Sequence, residues 1–355
     1  MIRMEEVRGA RAHDRAPLPL LALGCLLFAL AAAARAWPAA QDGPAVQKGP
    51  SVQKSSGAPA GEGPALLTLE IIGASVSAGY GNAAELGTRV DVRLGGFLDA
   101  FLGEADAVQP VDRGSRWLFR SPRVLGANQA SLAAAAAPDA VVAIDFLFWY
   151  AYGIGFGADE RRSVGLERGL RALDAIDAPL VVGDLPRVEH ALEGVGPFGG
   201  PLIVPEMLPT EDERARMNAR IREWARTRVQ VRVIDLGAFT ARCVGLETLE
   251  LRGNSWTPNA LDDVLQPDLL HPRARGSLWV ALAVWDALSE LDAAPEELDW
   301  SVERASARLE TRLAPRRARA HRAASGQGAS RRPAGSRSPS RSPRAAAPPT
   351  GERGR

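Results

Sequence analysis

Between residues 65 and 291 the chain repeats one pattern, a short apolar run followed by a longer stretch with helical spacing. Runs at 65–73, 107–111, 140–146, 180–183 and 229–235 have the length of strands. The third and fourth are continuous in apolar residues, as a strand covered on both faces requires. Helical spacing predicts a helix over 89–102, with Val90, Leu94, Phe97, Leu98 and Phe101 on one side. Ser121 and Pro122 supply an N-cap and a first helical residue for a helix reaching Ala137. A further helix is expected over 161–175, and Thr210 with Glu213 forms a capping box for one ending at Thr227. The last core helix spans 275–288, with Trp279, Val280, Ala283 and Val284 turned inward. Helices of this length between strands are the crossovers that parallel strands need. The expectation is an α/β fold, a three-layer αβα sandwich with a central five-stranded parallel sheet, binding ligands at the carboxyl ends of its strands.

The chain of 355 residues extends well beyond that pattern at both ends. Residues 18–34 are almost wholly apolar and end at Ala34-Arg35-Ala36, so residues 1–36 read as a signal peptide, with a mature chain starting near Trp37. The same run is near the lower limit for a membrane span, which leaves an N-terminal anchor as the alternative. Residues 37–64 have linker composition. The folded domain is expected over 65–313, followed by a disordered basic tail over 314–355. From Pro315 onward the tail holds eleven arginines against one glutamate, so the formal charge of +1 hides an acidic remainder. Such a tail suits contact with anionic surfaces. No aromatic residue is interleaved with its arginines, which argues against a nucleic-acid partner. With Cys25 in the leader, Cys243 has no partner for an intramolecular disulfide.

Two short segments carry the chemistry. IIGASVSAGYG, residues 71–81, puts Ser75 where an apolar run breaks into small residues, a strand end that presents a hydroxyl at the start of a helix. QPDLLHP, residues 266–272, supplies Asp268 and His271 three residues apart. A serine hydroxyl becomes a nucleophile when an imidazole takes its proton, and a carboxylate fixes that imidazole's tautomer. The other histidine of the expected domain, His190, sits in RVEHALEG without an arranged partner and reads as a surface or structural residue.

The order Ser75, Asp268, His271 resembles that of the SGNH or GDSL serine esterases, over about residues 66–291. The resemblance implies a flavodoxin-like strand order and hydrolysis of a carboxylic ester, with acyl groups on carbohydrate among the candidate substrates. It implies neither metal nor organic cofactor. Its oxyanion hole would be formed by the N–H groups of Ser75 and Gly114 and by a side chain after the third strand. Gly126 suits the glycine position less well, since it falls inside a helix. Where the family carries an asparagine donor this chain has Asp145, and Ala74 stands where the family has the aspartate of Gly-Asp-Ser. Asp145 would serve as a donor if its neighbours Phe146, Phe148 and Trp149 kept it protonated; ionised, it would repel the oxyanion. Phe148, Trp149 and Tyr150 are the expected substrate wall. The signal-peptide reading places the protein outside the cell or in the periplasm, and the anchor reading would hold it at the membrane. A binding protein that kept the fold, or an acyltransferase using the same serine, are the rival functions.

Overall fold

The computed structural model describes residues 67–103, 108–153 and 159–324. The expected leader, the linker and the end of the tail from 325 lie outside these residues. Among the described residues, no helix is long and apolar enough to cross a membrane.

Five parallel strands form one sheet: β1 (Leu67–Ile71), β2 (Val108–Asp112), β3 (Ala140–Ala143), β4 (Leu180–Gly183) and β5 (Val231–Ile234). Their spatial order is β2-β1-β3-β4-β5, the expected flavodoxin-like order. It arises because the chain winds outward from β1 in one direction, then crosses back to lay β3 on the other side. The sheet is covered on both faces by alternation along each strand. Leu69, Ile71, Val142 and Val181 turn into one core, whereas Val141, Ala143, Leu180 and Val182 turn into the other.

Helices α1 (Leu94–Asp99), α7 (Ala274–Ser289) and α8 (Val302–Ala324) cover the first face. On the second lie α2 (Pro122–Ala136), the single turn α3 (Phe148–Ala151), α4 (Asp159–Leu173) and α5 (Glu211–Arg226). The fully buried Trp285 ties α7 to α1 by donating its indole N–H to Leu98 O at 3.0 Å. Helix α6 (Leu236–Val244) and a hairpin of β6 (Leu249–Leu251) and β7 (Asn254–Trp256) complete the chain between β5 and α7.

Several boundaries differ from expectation for local reasons. The helix expected over 89–102 shrinks to α1, because the Asn82 amide both accepts from Val92 N and donates to Val92 O, each at 2.8 Å, pinning the preceding stretch extended. Ser121 stands at the N-cap of α2, but its side chain makes no capping bond. The capping box of Thr210 and Glu213 is complete in both directions. Strand β3 stops at Ala143, so Asp145 lies in the turn beyond it.

The largest correction concerns the C-terminal segment. Residues 314–324, expected in the disordered tail, continue α8 through Pro315. Val302, Ala305, Leu309 and Leu313 bury its inner face, and Arg317 donates to Leu86 O at 2.6 Å. A chain ending at Leu313 should therefore melt lower than one ending at Ala324. One hydrogen bond from a charged group, about 1.5–3 kcal/mol at most, sets the scale, and a shift of up to about 3–12 °C is expected for a domain of this size. Equal melting temperatures would show that the last turns of α8 do not hold the domain.

Candidate active site

The turn after β1 is built around a buried carboxylate contributed from the turn after β3. Asp145 Oδ1 accepts from Ala74 N at 2.9 Å and from the Ser77 hydroxyl at 2.6 Å. Its Oδ2 accepts from Val76 N at 2.7 Å and Ser77 N at 3.2 Å. Asp145 thus gathers the backbone N–H groups on either side of Ser75, and the N–H of Ser75 itself is not among them. Both Asp145 oxygens are engaged within the serine turn, where sequence position suggests a donor to the oxyanion. Asp145 is the clamp of the serine turn.

Gly73 makes that close approach possible. Its φ of +147° and the nearness of Asp145 Oδ1 and Ser77 Oγ leave no room for a Cβ. The Gln129 side chain holds Gly73 from the other side, accepting from its N–H at 2.9 Å and donating to its carbonyl at 3.1 Å. The sequence reading missed Gln129; the neighbouring Asn128 is exposed on α2. No helix follows Ser75. One helical hydrogen bond forms, from Ala78 N to Ala74 O at 3.0 Å, and positive φ at Gly79 and Gly81 then turns the chain away.

The second candidate segment is a tight loop stapled to the first. Asp268 Oδ1 accepts from Leu270 N and His271 N, both at 3.0 Å, while Oδ2 lies 2.8 Å from His271 Nδ1. Burial pushes the Asp268 carboxyl up, but the His271 bond, its charge and the two backbone donors outweigh burial and hold it below the usual range. Gln266 donates its amide to Tyr80 O at 2.9 Å and to Pro272 O at 3.1 Å, and the Tyr80 ring packs 4.6 Å from the His271 ring. With Nδ1 committed to Asp268, His271 Nε2 is buried without a protein partner.

Ser75 and His271 line one cavity of about 100 Å³ at the carboxyl ends of the strands. No hydrogen bond joins Ser75 Oγ to His271 Nε2 here. Both residues line the same cavity. Phe148 and Trp149 are in the cavity wall, as expected. Tyr150 is not: it is buried against Phe146, Gly126 and Gly169, and burial pushes its phenol up to about 12. Gly114 reaches the serine turn but packs on the Ser77–Ala78 peptide rather than on the cavity, where any side chain would collide. Its visible role is to seat the turn on β2.

Two groups that sequence reasoning did not place here line the cavity as well, Asp184 and His190. Burial lowers the pKa of His190, opposed by the nearby Glu189 and by a bond with the Leu269 backbone. Asp184 ends β4, accepting from Gly237 N at 2.9 Å and pairing with Arg222 at 2.5 Å. Burial raises its pKa to about 6; Asp235 adds to the rise, while Gly237 and Arg222 oppose it. A carboxyl whose folded pKa exceeds its unfolded value holds a proton longer in the folded state. Its contribution is greatest below about pH 4 and is lost as pH rises towards 6. Urea unfolding of wild type and Asp184→Asn should therefore show the wild type losing stability relative to the variant across that interval. Parallel stability curves would place the Asp184 carboxyl in its ordinary range.

Among the described residues no three histidine, cysteine, aspartate or glutamate side chains cluster as a metal site needs. No family model matches the chain. No curated protein matches it either. Among solved structures it is similar to TesA, at 16% identity and a TM-score of 0.38 over 63% of this chain and 99% of that one. It is also similar to the psychrotrophic esterase EstA from Pseudoalteromonas sp., at 14% identity and a TM-score of 0.38 over 63% and 97%. A third is a catalytic mutant of Axe2, an acetylxylan esterase from Geobacillus stearothermophilus, at 17% identity and a TM-score of 0.40 over 65% and 97%.

Proposed function

We propose that the protein is a serine hydrolase of carboxylic esters, with Ser75 as nucleophile, His271 as general base and then acid, and Asp268 as the group that orients His271. The observation that carries this reading is the buried Asp268–His271 couple, whose Nε2 has no protein partner and whose imidazole lines the same cavity as Ser75. Hydrogen bonding of Nδ1–H to Asp268 makes Nε2 the acceptor. It takes the Ser75 proton as Oγ attacks the ester carbonyl, and returns it to the departing alcohol. Water then enters by the same route and releases the acid. The Ser75 N–H, left out of the Asp145 clamp, is the donor for the developing oxyanion.

Phe148 and Trp149 give the acyl or alcohol part an apolar wall. Export follows from the apolar run at 18–34 and the small residues after it, which place the mature enzyme outside the cytoplasm.

A second reading has one specific observation in its favour. Among the described residues no asparagine or glutamine lines this cavity, and Asn82, in the small pocket beside Ser75 and His271, has its amide engaged with Val92, so no side-chain amide is set to donate to the oxyanion; the loss of one such donor costs about 10²–10³ in rate. A protein with that deficit could act by binding rather than by turnover. Purified protein given 4-nitrophenyl acetate separates the two. Turnover that saturates with substrate and exceeds the buffer rate supports the hydrolase, and a rate equal to that of buffer removes it in favour of a binder.

A further inference from the structure

The segment joining β2 to α2, residues 113–121, holds three arginines and no carboxylate. Arg113 is committed to the buried Glu70 through two bonds of 2.6 and 2.7 Å. Arg116 and Arg120 are exposed, and their guanidinium carbons lie 5.8 and 5.9 Å from the centre of the Trp117 ring. Among the described residues, no carboxylate pairs with either. Between them Leu118 is fully buried and anchors the turn, which forces its neighbours outward: Trp117 is 52% exposed and Phe119 is 47% exposed.

These side chains connect to the cavity. Phe119 packs 5.7 Å from Trp149, which is part of the cavity wall, and Trp117 packs 6.1 Å from Phe119. The charge of Arg116 also reaches the Tyr80 phenol, whose ring rests on His271. An apolar path therefore runs from the space in front of Ser75 to two guanidinium groups without carboxylate partners. Exposed aromatic residues that continue a cavity mark a binding surface, and planar guanidinium groups favour carboxylate and phosphate oxygens.

We propose that Arg116, Trp117, Phe119 and Arg120 form a substrate-selecting rim, which binds an anionic oxygen group carried by the same molecule as the ester at Ser75. The aromatic rings hold the spacer between the two and the arginines hold the anion. The rim rests on the reading of Ser75 as nucleophile, but its binding is measurable without turnover. A carboxylate would come from an acidic sugar or acid, and a phosphate from a phosphorylated alcohol or lipid headgroup.

The test uses amides that resemble the ester and resist hydrolysis, namely acetanilide, 4-acetamidobenzoate and 4-acetamidophenyl phosphate. Calorimetric titration of the full chain at low salt should show at least one anionic amide binding about tenfold more tightly than the neutral one, in the range expected for charge-assisted pairs. The tighter of the two anions identifies the source. About 0.5 M sodium chloride should shrink the difference. In the double variant Arg116→Ala, Arg120→Ala the preference for the anion should fall to near unity, with an unchanged melting temperature. Equal affinity for neutral and anionic amides in the wild type, or an undiminished preference in the double variant, overturns the rim. Hydrolysis of phenyl acetate on the same preparation separates the outcomes. An anion preference without hydrolysis removes the esterase and leaves the rim, and hydrolysis without an anion preference does the reverse.

Discussion

Ser75→Ala and His271→Ala are each expected to lower kcat for a simple aryl ester by about 10⁴-fold or more, and the double variant should fall little further, because nucleophile and base act as one unit. His271 is 4% exposed and Ser75 partly exposed, and both line the cavity, so each truncation enlarges an existing space, although His271 also gives up its contacts with Tyr80 and Asp268. Melting temperatures should consequently change by no more than a few degrees while activity disappears. Asp268→Asn should be milder in rate. The amide oxygen can still accept from the two backbone N–H groups that form the loop, but it no longer stabilises the imidazolium. Losses that multiply between Ser75 and His271, as for independent sites, would contradict a shared proton transfer.

Asp145→Asn is expected to damage both fold and catalysis. The carboxylate accepts four hydrogen bonds with two oxygens. An amide must turn its NH2 towards donors that now point at Asp145, so at least one bond becomes a repulsive contact in a buried site. At about 1.5–3 kcal/mol for a bond to a charged group, the loss of one bond lowers the melting temperature by roughly 3–12 °C. The turn that presents Ser75 loosens at the same time, and kcat should fall by at least about tenfold, since small displacements of a reacting group are costly. Thermal melts and aryl ester turnover on the same preparation check both parts. A variant as stable as the wild type and faster in turnover would revive Asp145 as a place for an amide donor to the oxyanion.

The sheet was legible because its determinants are local. An apolar run of strand length followed by a helical period says parallel strand and crossover, and the complete capping box of α5 shows how a local signal survives into the fold. Asp268 and His271 were legible for the same reason, since a loop of three residues sets their contact. The role of Asp145 was not legible, because it depends on which way a side chain faces across 71 residues of sequence. A carboxylate at that position reads as donor or as clamp until the direction of the turn at Gly73 is known. Tyr150 misled because five aromatics in seven residues fit a substrate wall, whereas the single turn α3 leaves Phe148 and Trp149 on the cavity and sends Tyr150 into the core.

His190 escaped because a histidine without a partner in sequence can acquire one in space, here the backbone of Leu269 and the cavity itself. Helix α8 is a different case, since its signal was present. Val302, Ala305, Leu309 and Leu313 recur at helical spacing. The arginine-rich composition and Pro315 obscured that period, although one proline at a helical position interrupts only its own turn when buried residues before it hold the helix.

The central claim is that Ser75 is the attacking atom. Its most direct measurement is covalent labelling with an alkyl fluorophosphonate, followed by intact mass and peptide mapping while ester hydrolysis is monitored. The phosphorus takes the place of the ester carbonyl, fluoride leaves, and the Ser75 proton departs through His271. The account predicts one phosphonyl group per chain, carried by the peptide that contains Ser75, with hydrolysis lost in proportion to labelling and no label in Ser75→Ala. Hydrolysis that persists with Ser75 fully labelled, or a label that inactivates the protein from another residue, would contradict it.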